Sequence, residues 1–326
     1  MPEIQSRCIR QKNPRPRKDY GMKMRVVITG ATGFIGRALC DKLHSDYEII
    51  ALSRNAVRAQ QSLGQLARVV QWDGKTLAGW AAQADGALAI INLAGENIAS
   101  GRWTKSRKHR ILWSRLDAAK AIVEAVKQAD SKPKVIIQAS AVGYYGSRRD
   151  EQLDENSPAG QGFPVNVCQE VESFEDKIDN LGVRFVAIRT GLVLGPNGGV
   201  LDKLAKPFRF YLGGCLGTGK QWLSWIGLDD EIAAIKFLME NERLHGVFNL
   251  TAPQPVTMRE FSKVLGKVLK KPAWLAVPGF VLRLALGEMA DKLLLSGQRA
   301  LPKRLLEAGF QFKYDNVESA LSAILG

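Results

Sequence analysis

The chain has 326 residues, 46% of them hydrophobic and 24% charged, a balance that suits an ordered globular protein and excludes disordered and fibrous classes. No run approaches the ~18 apolar residues of a membrane span, and four scattered cysteines with three histidines form neither a disulfide framework nor a metal-ligand spacing. The net charge is +14, but seven basic and only two acidic residues fall within residues 1–23.

Residues 1–23 read as a basic, disordered tail with Pro14 and Pro16 and no apolar periodicity. The two prolines break the amphipathic helix that an organelle-targeting peptide needs, so a cytoplasmic, reducing location is favoured over targeting. Met22 and Met24 stand directly before the first strand, and either serves as a start. From Met24 the pattern is strand, glycine turn, helix. A β-branched run covers 25–29, glycines punctuate 30–36, and helical spacing follows over 34–44. Further strands are predicted at 48–52, 68–72, 87–92, 134–140 and 183–189. Helices are predicted at 104–129, as one long or broken stretch, and at 164–180, the latter with Pro164 in its first turn. Strands alternating with helices at this spacing give an α/β fold with a Rossmann-type doubly wound parallel sheet over residues 24–195. After Gly195 glycines, prolines and aromatics become frequent, with helices expected at 230–242, 258–269 and 280–295. Residues 196–326 are therefore assigned to a smaller substrate and cap region, including a small C-terminal segment.

The glycine turn carries the first functional signal. Gly30, Gly33 and Gly36 lie between a strand and a helix, with Thr32, Phe34 and Ile35 among them. That arrangement lets a pyrophosphate approach free N–H groups at a helix N-terminus, where the helix dipole favours negative charge. The end of the second strand selects the cofactor. An acidic residue there would bind the ribose hydroxyl of NAD. This chain has Ser53 and Arg54 instead, with Arg58 nearby, so NADP is favoured over NAD. Asn92-Leu93-Ala94-Gly95 ends the fourth strand with small residues that leave room for ribose and adenine. Asp73, after the third strand, is weighed equally as an adenine contact and as a turn-capping residue. An anionic cofactor and a basic solvated surface account for the positive charge, and no nucleic-acid-binding pattern accompanies it.

Together with Ser140 and Trp225-Ile-Gly-Leu-Asp-Asp230, these motifs resemble the extended short-chain dehydrogenase/reductase superfamily. Asn92 to Asn97, Gly101-Arg-Trp-Thr104, Ser114-Arg115, Ser140 to Gly146, Arg189 to Gly195 and Phe248 to Pro253 narrow the resemblance to its YfcH-like epimerase family branch. The resemblance runs in order from residue 24 to about residue 321. It implies NADP at the glycine loop, Ser53, Arg54, Leu93, Ala94, Arg110 and Arg115, with Val193 near the nicotinamide end. It also implies redox or epimerase chemistry on an unknown small molecule, and dimer surfaces on the helices after strands four and five, hence a possible homodimer.

The chain departs from that superfamily at its proton donor. A Tyr-x-x-x-Lys pair would lower a tyrosine pKa through the lysine charge. Here the corresponding run is Phe163-Pro-Val-Asn-Val167. Substitute groups are Ser140 at the end of strand five, Tyr144 and Tyr145 just beyond it, and Cys168, with Glu172 one turn further along the same helix. Two functional readings follow. One is an NADP-dependent oxidoreductase- or epimerase-like enzyme with a non-standard acid. The other, which the resemblance links to a cell-division role, is an inactive NADP-binding regulator or scaffold for which the cofactor is a structural ligand.

Overall fold

The structure, a computed structural model, describes residues 23–326. The expected basic tail, apart from Lys23, lies outside the described residues.

Seven strands form one parallel sheet: β1 (Arg25–Thr29), β2 (Glu48–Ser53), β3 (Arg68–Gln71), β4 (Ala89–Asn92), β5 (Val135–Ala141), β6 (Arg184–Thr190) and β7 (Gly246–Leu250). Their spatial order is β7-β6-β5-β4-β1-β2-β3, with every neighbouring pair parallel. The direction of winding reverses between β1 and β4, which is where a doubly wound sheet opens a crevice at its C-terminal edge. Helices of eight or more residues are α1 (Phe34–Leu43), α2 (Ala56–Leu63), α3 (Lys105–Gln128), α4 (Phe163–Glu172), α5 (Leu201–Arg209), α6 (Leu228–Glu240), α7 (Met258–Leu269), α8 (Gly279–Leu286) and α9 (Val317–Leu325).

Side chains of a strand alternate between faces, so both faces of a covered sheet must be apolar. Val26 and Ile28 of β1 join Leu39 of α1 and Ile235 of α6 in one core layer. Val27, between them in sequence, joins Ile122 and Val126 of α3 in the other. A third apolar cluster, with Phe208, Trp225, Phe261 and Leu321, lies among α5, α7 and α9.

Three sequence expectations change. Helix 164–180 is broken: α4 stops at Glu172, and a short helix resumes at Glu175–Asp179. The stretch 280–295 is also broken, at Gly287 with φ +62°, a backbone state that favours glycine. The chain after Gly195 does not run as one separate region, because α6 and β7 return to the main sheet, where β7 pairs with β6. Helix 104–129, by contrast, is a single unbroken α3, N-capped by Thr104, whose hydroxyl accepts from Arg107 N. Among the described residues no helix is long and apolar enough to cross a membrane.

Candidate cofactor and active site

A cleft of about 1270 Å³ opens at the C-terminal ends of β1, β2 and β4, at the winding reversal. Its base is fixed by polar side chains in strand register. Thr29, Asn92 and Gln138 are aligned partners on β1, β4 and β5. The Thr29 hydroxyl donates to Asn92 Oδ1 at 2.6 Å, and Asn92 Nδ2 donates to Gln138 Oε1 at 2.8 Å. Thr29 Oγ1 also accepts from Ala94 N at 3.1 Å, which holds the loop after β4 against the turn after β1. Buried polar groups satisfied in this way stiffen the cleft floor.

Gly30 has φ +68°, and a Cβ there would stand 2.7 Å from Leu93 O, so only glycine lets the two loops meet. Gly33 precedes α1 and offers no side-chain cap, so the first N–H groups of the helix are left for a ligand or water. Gly30, Thr32 and Gly33 line the cleft, whereas Phe34, Ile35 and Gly36 do not. Ile35 packs on the core, and Gly36 is buried against the carbonyl of Gly30.

Ser53, Arg54 and Asp73 line the opposite end of the cleft. Arg54 is exposed, and its guanidinium makes no hydrogen bond or ion pair among the described residues. Asp73 is committed to its turn. It accepts from Lys75 N and Thr76 N at 2.8 Å and from the Thr76 hydroxyl at 2.9 Å. These bonds, the one from Thr76 N foremost, lower its pKa, and they favour the capping reading over the adenine contact.

Leu93, Ala94 and Gly95 line the cleft beneath α3. Arg115 lies outside the lining. Its guanidinium packs so closely under Gly95 that a Cβ there would fall 2.6 Å from Arg115 Cζ. Arg115 donates to Glu96 O at 3.1 Å and Ile111 O at 2.8 Å, and burial lowers its pKa. Arg110 does line the cleft, but its Nε donates to the Glu96 carboxylate at 3.1 Å, so its charge is already partnered. Val193 sits on a short strand, Leu192–Leu194, paired with Ile226, and is not among the residues that line the cleft.

Cleft residues missed in the sequence come mainly from α3. His109 and Trp113 stand one turn apart with ring centroids 5.6 Å from each other, and both line the cleft. Lys75 and Asp117 approach to 3.9 Å between the β3 loop and α3. Helical spacing of His109 and Trp113 was visible in the sequence, but not which face of α3 meets the sheet edge.

The four candidate catalytic groups separate by environment. Tyr145 is fully buried, and its hydroxyl donates to Asn249 Oδ1 at 2.7 Å and accepts from Arg189 Nη1 at 3.0 Å. Burial pushes its pKa up to about 12. Cys168 is also buried, and burial pushes its thiol up to about 11. Neither group is placed to meet a substrate, a correction to the sequence reading. Ser140 donates to Glu172 Oε1 at 2.6 Å. Glu172 is held by Arg189 and not by Cys168. Tyr144 is half-buried, with the Arg189 guanidinium carbon 3.3 Å from its ring centroid. Its hydroxyl has no hydrogen-bond partner among the described residues. At the expected tyrosine position, Phe163 packs edge-on against Trp103 at 5.1 Å, with Val167 in the same apolar cluster.

A model of the NAD dependent epimerase/dehydratase family matches residues 26–251. The chain belongs to that family. Among members of the epimerase family, the Arabidopsis thaliana "Epimerase family protein SDR39U1 homolog, chloroplastic" is 41% identical over 93% of this chain and 87% of its own. The crystal structure of human epimerase family protein SDR39U1 (isoform 2) with NADPH superposes with a TM-score of 0.82 at 32% identity, covering 92% of this chain and 99% of that one. A nucleoside-diphosphate sugar epimerase from Corynebacterium glutamicum gives a TM-score of 0.74 at 31% identity, over 93% of this chain and 58% of that one. Residues 277–324 match a separate model, described as a domain of unknown function.

Proposed function

We propose that this epimerase family member binds NADP(H) in the cleft and acts on a small polar, nucleotide-linked substrate. The observation that carries the reading is Arg54, a cation at the end of β2 with no partner among the described residues, at the place that distinguishes a 2′-phosphate from a free hydroxyl. The NADPH in the human relative's structure and the sugar-nucleotide name of the Corynebacterium relative support it. The Gly30–Gly33 turn and the uncapped start of α1 would take the pyrophosphate, and Leu93 to Gly95 would carry the adenosine half. When bound, the cofactor supplies hydride chemistry. The chain's own part is to orient it, exclude water and deliver a proton. Tyr144 Oη is the candidate for that proton, because Ser140, Tyr145 and Cys168 are engaged or buried. The three free thiols among the described residues suit a reducing, cytoplasmic setting.

The apolar packing of Phe163 and Val167 favours a second reading, a regulator or scaffold that keeps the cofactor without turnover. One experiment separates them: titration of cofactor-free protein with NADPH and NADH, followed by NADPH consumption and sugar interconversion with a panel of nucleotide sugars. NADPH-selective binding with consumption or interconversion abolished by Tyr144→Phe supports the enzyme. Selective binding with neither NADPH consumption nor interconversion of the nucleotide sugars supports the regulator, because an epimerase returns its cofactor unchanged. Absence of binding removes both.

A further inference from the structure

Most of the exposed large apolar side chains fall on one part of the molecule. Phe210, Tyr211, Leu212, Trp274, Phe280 and Leu284 are each between 54% and 78% exposed. The segments that carry them are tied together. Trp274 Nε1 donates to Tyr211 O at 3.0 Å, and Leu275 N donates to Gly213 O at 3.0 Å. The chain then runs beside 213–217, with Val277 N donating to Cys215 O at 2.9 Å, and enters α8 directly. Helix α8 reads Gly-Phe-Val-Leu-Arg-Leu-Ala-Leu, yet none of its eight residues is buried. Leu286 packs inward on the cluster with Trp103 and Met289, so the outward face of α8 presents Phe280, Val281 and Leu284 to solvent beside the exposed aromatics, the kind of apolar patch that marks an interaction surface. Tyr211 adds a second sign. Its φ is +62°, a conformation that a bulky residue adopts only when the surrounding structure holds it there.

The charge around the patch identifies the partner. Residues 203–221 include Lys203, Lys206, Arg209 and Lys220, and residues 261–287 include Lys263, Lys267, Lys270, Lys271 and Arg283. Neither stretch contains an aspartate or glutamate. Lys267 and Arg283 reach Glu318 and Asp291 from outside these stretches, and Lys271 lies 3.7 Å over the Tyr211 ring. Lys206, Arg209 and Lys270 make no ion pair among the described residues. A second copy of this chain would bring the same cations against themselves, and residues 1–22 are themselves net positive. Exposed Trp, Tyr, Phe and Leu rimmed by unpaired lysines and arginines complement a surface that is negative at the headgroups and apolar beneath.

We propose that this face, from the end of α5 through Trp274 to α8, docks the protein reversibly on an anionic lipid bilayer. The aromatic and leucine side chains enter the interface, and the lysine stems reach along it to the headgroups. Among the described residues no helix is long and apolar enough to cross the bilayer. Docking of this kind gives the C-terminal segment that contains α8 a role of its own.

The test is flotation of the full-length protein with vesicles of equal parts phosphatidylglycerol and phosphatidylcholine, and with pure phosphatidylcholine vesicles. Binding to the anionic vesicles, weakened by salt and slight on the neutral ones, is expected. The triple variant Phe210→Ser, Phe280→Ser, Leu284→Ser alters only exposed side chains that make no hydrogen bond and should keep the wild-type circular dichroism and melting temperature. It should bind the anionic vesicles about tenfold more weakly or worse. Residues 1–22 are common to both proteins, so binding that survives the triple substitution would assign it to general charge and overturn the proposal. No binding by the wild type would also overturn it. So would sedimentation showing a dimer that the same substitutions dissolve, since the face would then be a subunit interface.

Discussion

Arg189 grips Glu172 at two points, Nε to Oε1 at 3.0 Å and Nη2 to Oε2 at 2.7 Å, with the two side chains only 3% and 10% exposed. The pair joins the end of β6 to the end of α4 and gathers Ser140 and Tyr145 around it. It occupies the region where this superfamily's proton-transfer groups are expected, yet it works there as a buried brace.

Breaking the brace from one side leaves a buried charge without a counter-charge. Arg189→Met should therefore destabilise the protein by about 3–5 kcal/mol. The double variant Glu172→Leu, Arg189→Met should lose less than the sum of its two single changes, because no lone charge remains. Urea denaturation of the four proteins checks this. A single-variant loss below about 1 kcal/mol would place the pair among weak surface contacts.

Arg54 faces the cleft without a partner and is exposed, so its replacement should cost little stability. Arg54→Glu should reduce NADPH affinity by about ten- to a hundredfold, the worth of a charge-assisted hydrogen bond, and leave NADH affinity within about threefold. Fluorescence titration with both nucleotides measures the ratio. Equal losses would remove Arg54 from 2′-phosphate recognition.

Glu231 lies fully buried on α6, with Oε1 accepting from the Thr190 hydroxyl at 2.8 Å and Oε2 unpartnered among the described residues. Burial raises its pKa from 4.5 to about 8. Between those values the folded protein binds the proton and the unfolded chain does not. The stability held below the unfolded pKa is thus lost as pH rises toward the folded one, by up to about 1.4 kcal/mol per pH unit. Glu231→Gln should flatten this decline. Thermal melting from pH 5 to pH 8, run on both proteins, reads it, and parallel slopes would refute the assignment.

Phe163 and Val167 share an apolar cluster with Trp103, Ile111 and Met289. Phe163→Tyr adds one hydroxyl beside Trp103 and should be tolerated within about 1–2 kcal/mol. Val167→Lys forces an ammonium into the cluster and should cost about 3 kcal/mol or more. The combined variant restores the superfamily's residue types but should not gain NADPH-dependent carbonyl reduction. A measurable gain would show that the cluster opens in solution.

What the sequence determined by itself was local. The β-branched run of β1, the glycine turn and the helical spacing after it depend on neighbours a few residues apart, and Arg54 is read from its place just after a strand. Residues 25–29 and 34–43 accordingly form as expected. The tertiary structure decided what distance in sequence conceals. β7 finds its place beside β6 from beyond a Gly-rich stretch, Glu172 meets Arg189 seventeen residues away, and Tyr145 is closed over by Asn249. Burial and pairing arise where remote surfaces meet. A tyrosine or cysteine at an active-site edge therefore reads the same in sequence whether it opens to substrate or, like Tyr145 and Cys168, is sealed inside.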